Sequence, residues 1–298
     1  MSRIAVVTDS ASDLDPARAA ALGIQIVPLI VNFGSEAFSA GVNLSTDEFW
    51  TRMKTPGTPF PTTAACSPGD FQLAYQKAFD EGAEGIVSVH VAGTLSGTIK
   101  AAEIGRAMFK DREIYVVDSM SASMGEGMLA EMAVEMGAAG ASAKEIAETL
   151  ERRRNDLQVY LALETLEYLK RGGRISGAQA AIGTLLSVKP IIEIKDGKVE
   201  TAERVRTRGK AREKLIELFA VAPMDRLSIL HTTDADVTEF ESALIAAIPG
   251  GLDPSKVTVD LVGPSVGPHL GPGCVGAVAL YREGARPAAP AAPAAPAA

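Results

Sequence analysis

The segment GIVSVHVAGTLSGT, residues 85–98, constrains this chain more than any other. Its first six residues, Gly85–His90, read as a buried strand. Small residues follow, and the pattern predicts a helix starting near Ser96. A strand delivered through a tight turn into a helix N-terminus belongs to alternating α/β folds. The turn also presents free backbone N–H groups and two hydroxyls, Ser96 and Thr98, on either side of Gly97. That is a seat for an anionic oxygen, whether carboxylate or phosphate.

The rest of the first half repeats the alternation. Residues 3–9 predict a strand, 15–23 a short helix closed by Gly23, and 24–33 a second strand with Pro28 at an edge or bulge. Ser45 and Glu48 read as a capping box opening the helix that carries Trp50. Ser67-Pro68-Gly69-Asp70 reads as another helix start. A strand over 113–119 follows, then a helix from about Ala122 and one from Ser142 with Glu145 as its box partner. This order predicts a mainly parallel, doubly wound sheet over an N-terminal α/β domain, residues 1–156.

The pattern changes near Leu157. Helices recur at 164–171, 209–220 and 236–248, but 190–205 predicts a hairpin with Asp196-Gly197 at its tip. Residues 157–286 are therefore expected to form a second α/β domain with a mixed or antiparallel sheet. Residues 175–188 carry no charge and are rich in Ala and Gly, which suits a closely packed buried helix. The Pro/Ala-rich tail, 287–298, cannot bury a core and is expected to be disordered.

A net charge of -8 and a pI near 5.1 argue against nucleic acid as a partner, because phosphate binding relies on a basic face. The uncharged run 261–281 is long enough to span a bilayer, but its five glycines and three prolines would break a lipid-exposed helix. No stable membrane insertion is expected. Two cysteines, Cys66 and Cys274, make no disulfide framework, and the N-terminus has no apolar run of signal-peptide length. A cytoplasmic location is expected.

The residues alone leave the chemistry open. Ser96 can cap a helix, hold an anion or act as a nucleophile, but the G-x-S-x-G elbow is absent around it. Thr62 and Thr63 in PTTAACSPGDF read either as a solvated loop or as a second hydroxyl loop facing the same anion. His269 sits in GPHLGPG, whose glycines and prolines hold a side chain in a defined direction. Gly271, Gly273 and Gly276 match G-x-G-x-x-G, yet a strand follows where a dinucleotide site needs a helix. Basic residues gather at Lys170, Arg171 and Arg174 and again from Arg204 to Arg212, as a solvated face or a docking patch for an acidic partner. No Cys/His spacing suggests a metal, and no cofactor is expected.

Together, VTDSASDL, PTT…SPGDF, LSGT, VVDSMSASMGEG, ETLEYLKRGGRISG…IGTLLSVKPII, RTRGKA and GPHLGPGCVGA resemble, in order and spacing, the DegV family of bacterial fatty-acid-binding proteins. The resemblance implies two α/β domains with one long-chain fatty acid in an apolar tunnel between them. It implies a carboxylate held by Thr63, with Thr62 as rival, by Ser96 in its Ser96-Gly97-Thr98 turn, and by His269. It implies a carrier rather than an enzyme, handing its ligand to the separate ATP-binding subunit of a fatty acid kinase. Arg171, Arg174 and Arg206 fall in the basic motifs expected near the head group or that docking surface. Two departures stand out: Ala64-Ala65-Cys66 replaces the family's Ser-Gln-Pro, and Pro268-His269-Leu270 replaces Thr-His-Thr. From other classes, a serine hydrolase or a phosphotransfer protein would also use Ser96 and His269.

Overall fold

The computed structural model describes residues 3–175, 188–233 and 237–286. The Pro/Ala tail and the uncharged segment expected to be helical, apart from Ile175 and Val188 at its ends, lie outside them. The first part of the chain runs β1 (Ile4–Asp9), α1 (Pro16–Leu22), β2 (Ile24–Val27), β3 (Ile30–Phe33), β4 (Glu36–Ser39), α2 (Thr46–Lys54), β5 (Pro61–Ala64) and α3 (Pro68–Asp80). Then come β6 (Gly85–His90), α4 (Thr98–Arg106), β7 (Glu113–Asp118), α5 (Met124–Ala138) and α6 (Ala143–Arg153). The remainder runs β8 (Leu157–Ala162), α7 (Glu167–Arg171), β9 (Lys189–Lys195), β10 (Lys198–Val205), α8 (Arg208–Phe219), β11 (Met224–His231), α9 (Thr238–Ala247), β12 (Val257–Leu261), α10 (Gly267–Leu270) and β13 (Val275–Tyr281).

Three sheets form among the described residues. One is parallel, in the order β2-β1-β6-β7, with Val6 opposite both Ile24 and Val87. All six residues of β6 are buried, as a strand covered on both faces requires. Phe71, Tyr75 and Phe79 of α3 and Ala101 and Ala102 of α4 cover one face. Met128 and Leu129 of α5 and Ile146 and Leu150 of α6 belong to the core on the other. The second sheet is mixed, in the order β10-β9-β8-β13-β11-β12, and contains only strands after Leu157. Helix α5 touches both sheets, and α8 packs on the second. The third is a small antiparallel sheet, β4-β3-β5.

Local chemistry explains most element boundaries. Asp15 Oδ1 accepts the Ala17 and Arg18 N–H groups at the start of α1, and Gly23, at φ 69, closes it. Ser67/Asp70 and Ser142/Glu145 form full capping boxes on α3 and α6. Asp196 and Gly197 both take positive φ at the β9–β10 turn, as a two-residue hairpin demands.

Four local expectations change. Residues 24–33 are two strands in different sheets, because Pro28 cannot continue a hydrogen-bonded ladder. Residues 61–64 are a strand rather than a loop, paired with β3. Ser45 caps α2, but Glu48 pairs with Arg52 instead of reaching back, so no box closes. Helix α4 starts at Thr98, with Gly97 rather than Ser96 at its cap.

Candidate functional site

In the parallel sheet, β1 connects outward to β2 on one side and pairs with β6 on the other. The crevice where such an order reverses, beyond the carboxyl ends of the strands, is where open α/β sheets bind ligands. A cavity lies there, lined by Ala11 after β1 and Val91 after β6. Val159 and Leu161 of β8, Ile192 and Ile194 of β9 and Val199 of β10 form one wall. Leu161 pairs with Ile192 and Val199 with Ile194, so these side chains share one face of the mixed sheet. Their neighbours Tyr160, Ala162 and Ile191 belong to the core of α8 on the opposite face. Leu29, Leu169 and Leu270 complete the apolar lining.

Polar side chains gather at one part of this wall. Thr63 on β5 and His269 on α10 meet through Thr63 Oγ1 and His269 Nε2, 3.0 Å apart. Ser96 and Arg174 line the same cavity, and among the described lining residues Arg174 is the one that is permanently charged. The guanidinium is held by two carbonyls, donating from Nε to Leu95 at 3.1 Å and from Nη1 to Gly172 at 2.6 Å. Burial, with the Arg174 charge adding to it, pushes the His269 pKa down to about 4, so the imidazole is neutral at physiological pH.

The packing assigns its proton. His269 Nδ1 is buried without a hydrogen-bond partner among the described residues. It faces the α-carbon of Gly172 so closely that a Cβ there would stand 2.1 Å away. An N–H aimed at that hydrogen would be an orphaned donor facing positive charge; a lone pair there costs less. The proton therefore sits on Nε2 and is donated to Thr63 Oγ1. Thr63 keeps its own hydroxyl proton for the cavity. Ser96 is arranged in the same sense: its Oγ accepts the Thr98 N–H at 3.3 Å and lies 2.8 Å from Thr98 Oγ1. Where the Thr98 hydroxyl donates within that pair, the Ser96 proton is free to face the cavity. Two hydroxyls and one guanidinium, with the imidazole orienting Thr63, suit an acceptor-only oxyanion such as a carboxylate.

The remaining expected site residues fall outside the cavity lining. Thr62 adjoins Thr63, but strand alternation sends it to the exposed face of β5. Gly97 is exposed, and Thr98 is fully buried behind Ser96. Arg171 is exposed and lies with its guanidinium 3.6 Å from the centroid of the Phe60 ring, which in turn packs on Tyr168. Arg206 is exposed beyond β10. Of the two departures, Leu270 adds to the apolar lining, and Cys66 is buried with its Sγ toward the Val27 carbonyl. Sequence reasoning missed Gly172 and the whole β8–β10 wall. The i, i+2 spacing of Val159 with Leu161 and of Ile192 with Ile194 was the available signal.

Ser96 and His269 form no nucleophile–base pair, since their hydrogen bonds go to Thr98 and Thr63. A serine–histidine–aspartate chain does exist elsewhere. Ser88 Oγ lies 2.6 Å from His90 Nε2, and His90 Nδ1 lies 3.1 Å from Asp9 Oδ2. All three residues have zero exposure, and Tyr75 and Glu126 extend the network. Burial, then the Asp9 charge, raises the Glu126 pKa well above the usual carboxyl range, which keeps a second buried charge out of the cluster. No substrate can reach it. Among the described residues no helix is long and apolar enough to cross a membrane.

Comparison with known proteins places this geometry. A family model described as "Uncharacterised protein, DegV family" matches residues 3–282. A DegV domain-containing protein of Streptomyces coelicolor is 36% identical over 289 residues, covering 95% of this chain and 100% of its own. One from Halalkalibacterium halodurans is 32% identical over 280 residues, covering 93% and 98%. Among solved structures, a DegV family protein from Thermus thermophilus described by its fatty acid binding superposes with a TM-score of 0.86 at 38% identity, covering 94% of this chain and all of that one. DegV of Bacillus subtilis, described as a fatty acid binding protein, gives 0.82 at 28% identity, covering 95% and 100%. The parallel sheet and the mixed sheet are thus a shared architecture, and this chain belongs to the DegV family.

Proposed function

We propose that the protein binds one long-chain fatty acid, its acyl chain in this apolar cavity and its carboxylate at Thr63, Ser96, His269 and Arg174. The observation that carries this is an apolar cavity with one cluster of hydroxyl donors beside a single cation. Fatty acid binding is described for the Thermus and Bacillus relatives. Burying a sixteen-carbon chain at about 0.8 kcal/mol per methylene offers on the order of 10 kcal/mol before ordering costs. Affinity therefore comes from the chain. The head-group cluster orients it and offsets the desolvation of a carboxylate. On this reading the ligand lies between an N-terminal unit, 1–156, and a C-terminal unit, 157–286.

The protein acts as a carrier and presents the carboxylate to the ATP-binding subunit of a fatty acid kinase. Supporting this, Arg171 and Arg206 are exposed cations, and Ser96 and His269 bond to Thr98 and Thr63 rather than to each other. Native mass spectrometry of the purified protein is expected to find a bound fatty acid. Protein that is ligand-free and binds none would refute the carrier function. With the kinase subunit and ATP, loaded protein is expected to yield an acyl phosphate trappable by hydroxylamine, and charge reversal at Arg171 and Arg206 to suppress it. A fluorophosphonate is expected to leave Ser96 unlabelled; labelling would favour a hydrolase.

A further inference from the structure

The β9–β10 hairpin is anchored along only part of its length. Strand β9 pairs with β8 at Ile191, Ile192 and Glu193, and beyond Glu193 no residue of β9 pairs with β8. Strand β10 is the edge of the mixed sheet. The outer end of the hairpin therefore pairs only with itself, Ile194 with Val199 and Lys195 with Lys198. Two strands alone make a marginal structure in water. Yet Ile194 and Val199 line the cavity, so this overhanging end is part of its wall.

The tip is held from across the crevice. Thr94, in the turn between β6 and α4, donates from Oγ1 to the Gly197 carbonyl. Gly197 is buried there, and a Cβ on it would stand 2.8 Å from Thr94 Oγ1, 3.4 Å from the Ala92 Cβ and 3.5 Å from Met120 Cε. The receiving surface is firm. Asp118 accepts the Gly93 N–H at 3.1 Å and the Met120 N–H at 2.8 Å, and the Ala92 N–H donates to the Ser121 carbonyl at 2.8 Å. Among the described residues, the bond to Thr94 is the one hydrogen bond that residues 195–199 make outside the hairpin.

Elsewhere the two parts of the chain are fastened at several points. Trp50 Nε1 donates to the Val262 carbonyl at 2.8 Å, the Gly263 N–H donates to Asp13 at 2.9 Å, and Arg226 reaches the buried Glu131 at 3.4 Å. At the head-group cluster, Arg174 holds the Leu95 carbonyl and His269 holds Thr63. The hairpin tip is the least fastened part of the cavity wall among the described residues, and its flanks Asp196 and Lys198 are exposed.

We infer that the outer end of the β9–β10 hairpin is the gate by which the acyl chain enters and leaves, with the Thr94–Gly197 hydrogen bond as its latch. This rests on the fatty-acid reading above and adds the route its ligand takes. Neither Thr94 nor Gly197 lines the cavity, so the latch governs passage rather than hold.

Stopped-flow binding and release of cis-parinaric acid, a naturally fluorescent fatty acid, test the gate. Thr94→Val keeps the shape and removes the donor. It is expected to raise the association and dissociation rates together by roughly two- to tenfold, the worth of one net hydrogen bond, with Kd unchanged. Thr94→Cys combined with Gly197→Cys uses the 2.8 Å approach to close a disulfide over the gate. Once oxidised, this variant is expected to lose exchange, and reduction to restore it. The reduced protein is its own control for the side chain placed at φ 72, and mass spectrometry reports the bond. Where the disulfide does not form, Thr94→Val decides. Unchanged rates in Thr94→Val, or continued exchange through the closed disulfide, overturn the gate and leave fatty-acid binding standing. Faster dissociation alone, with a weaker Kd, makes Thr94 a support of the Ser96 turn and equally overturns it. Failure of the wild type to bind parinaric acid removes the fatty-acid reading itself, and this inference with it.

Discussion

Thr63 Oγ1 and His269 Nε2 stand 3.0 Å apart although 206 positions separate them in the chain. Thr63 comes from the small antiparallel sheet and His269 from the Gly/Pro segment between β12 and β13. The contact therefore exists only after the N-terminal and C-terminal parts of the chain have packed. Because Nδ1 is covered by Gly172, the bond runs from ring to hydroxyl, and the threonine is left as a donor.

The two adjacent threonines should separate cleanly. Thr63→Val keeps the shape and removes the hydroxyl, and is expected to weaken fatty-acid binding by about 1–3 kcal/mol, the range for a hydrogen bond to a charged group. Thr62→Val, on the exposed face, is expected to change it by less than about 0.5 kcal/mol. Titration with a fluorescent fatty acid measures both, and equal losses would remove Thr63 from the head-group cluster.

Gly172 has a role that no motif advertises. A Cβ there would lie 2.1 Å from His269 Nδ1 and 3.2 Å from the Tyr168 carbonyl. Gly172→Ala should drive the ring off Thr63 and lower affinity about tenfold, with a stability cost of roughly 1–3 kcal/mol. A crystal structure of the variant with the Thr63–His269 bond intact would contradict this.

His269 should titrate late. Its folded pKa of about 4 lies below the ordinary 6.5, so between those values the unfolded chain takes up a proton that the folded chain refuses. Its contribution to stability is thus full above pH 6.5 and is lost as pH falls toward 4. Nitrogen-15 NMR of the ligand-free protein is expected to show a neutral ring protonated at Nε2 throughout pH 6–8. A midpoint near 6.5, or the proton on Nδ1, would undo the donor assignment.

Asp13 gives the opposite slope. Burial above all pushes its carboxyl up to about 7, while Oδ1 accepts the Gly263 N–H at 2.9 Å. The folded chain holds a proton that the unfolded chain releases above 3.8, so stability falls as pH rises from about 4 to 7. Asp13→Asn keeps an acceptor for Gly263 and suits the left-handed backbone at φ 53. It is expected to be stabilising by on the order of 2 kcal/mol at pH 8, since the side chain is only partly enclosed, and neutral near pH 4. Denaturant melts at both pH values check it; a gap that does not depend on pH would exclude Asp13 titration as the cause.

Much of this fold is local and therefore legible. The buried run of β6, the Ser67 and Ser142 capping boxes, Gly23 and the Asp196-Gly197 turn each act within a few residues, so spacing and residue type reveal them. Pro28 marked a break but not that the next strand joins another sheet, because strand partners are chosen by distant residues.

The candidate site divides along the same line. Sequence alone determined the residue types available to an anion, Ser96 in its turn, the paired threonines and a histidine in a rigid loop, because turns and caps are short-range chemistry. Only the tertiary structure decided that Thr63 rather than Thr62 faces inward, that Ser96 leans on Thr98, and that Gly172 orients His269. It also placed the apolar face of β8–β10 opposite the crevice at β1 and β6. A cavity is the space between surfaces that fold separately along the chain, and its shape depends on how those surfaces meet.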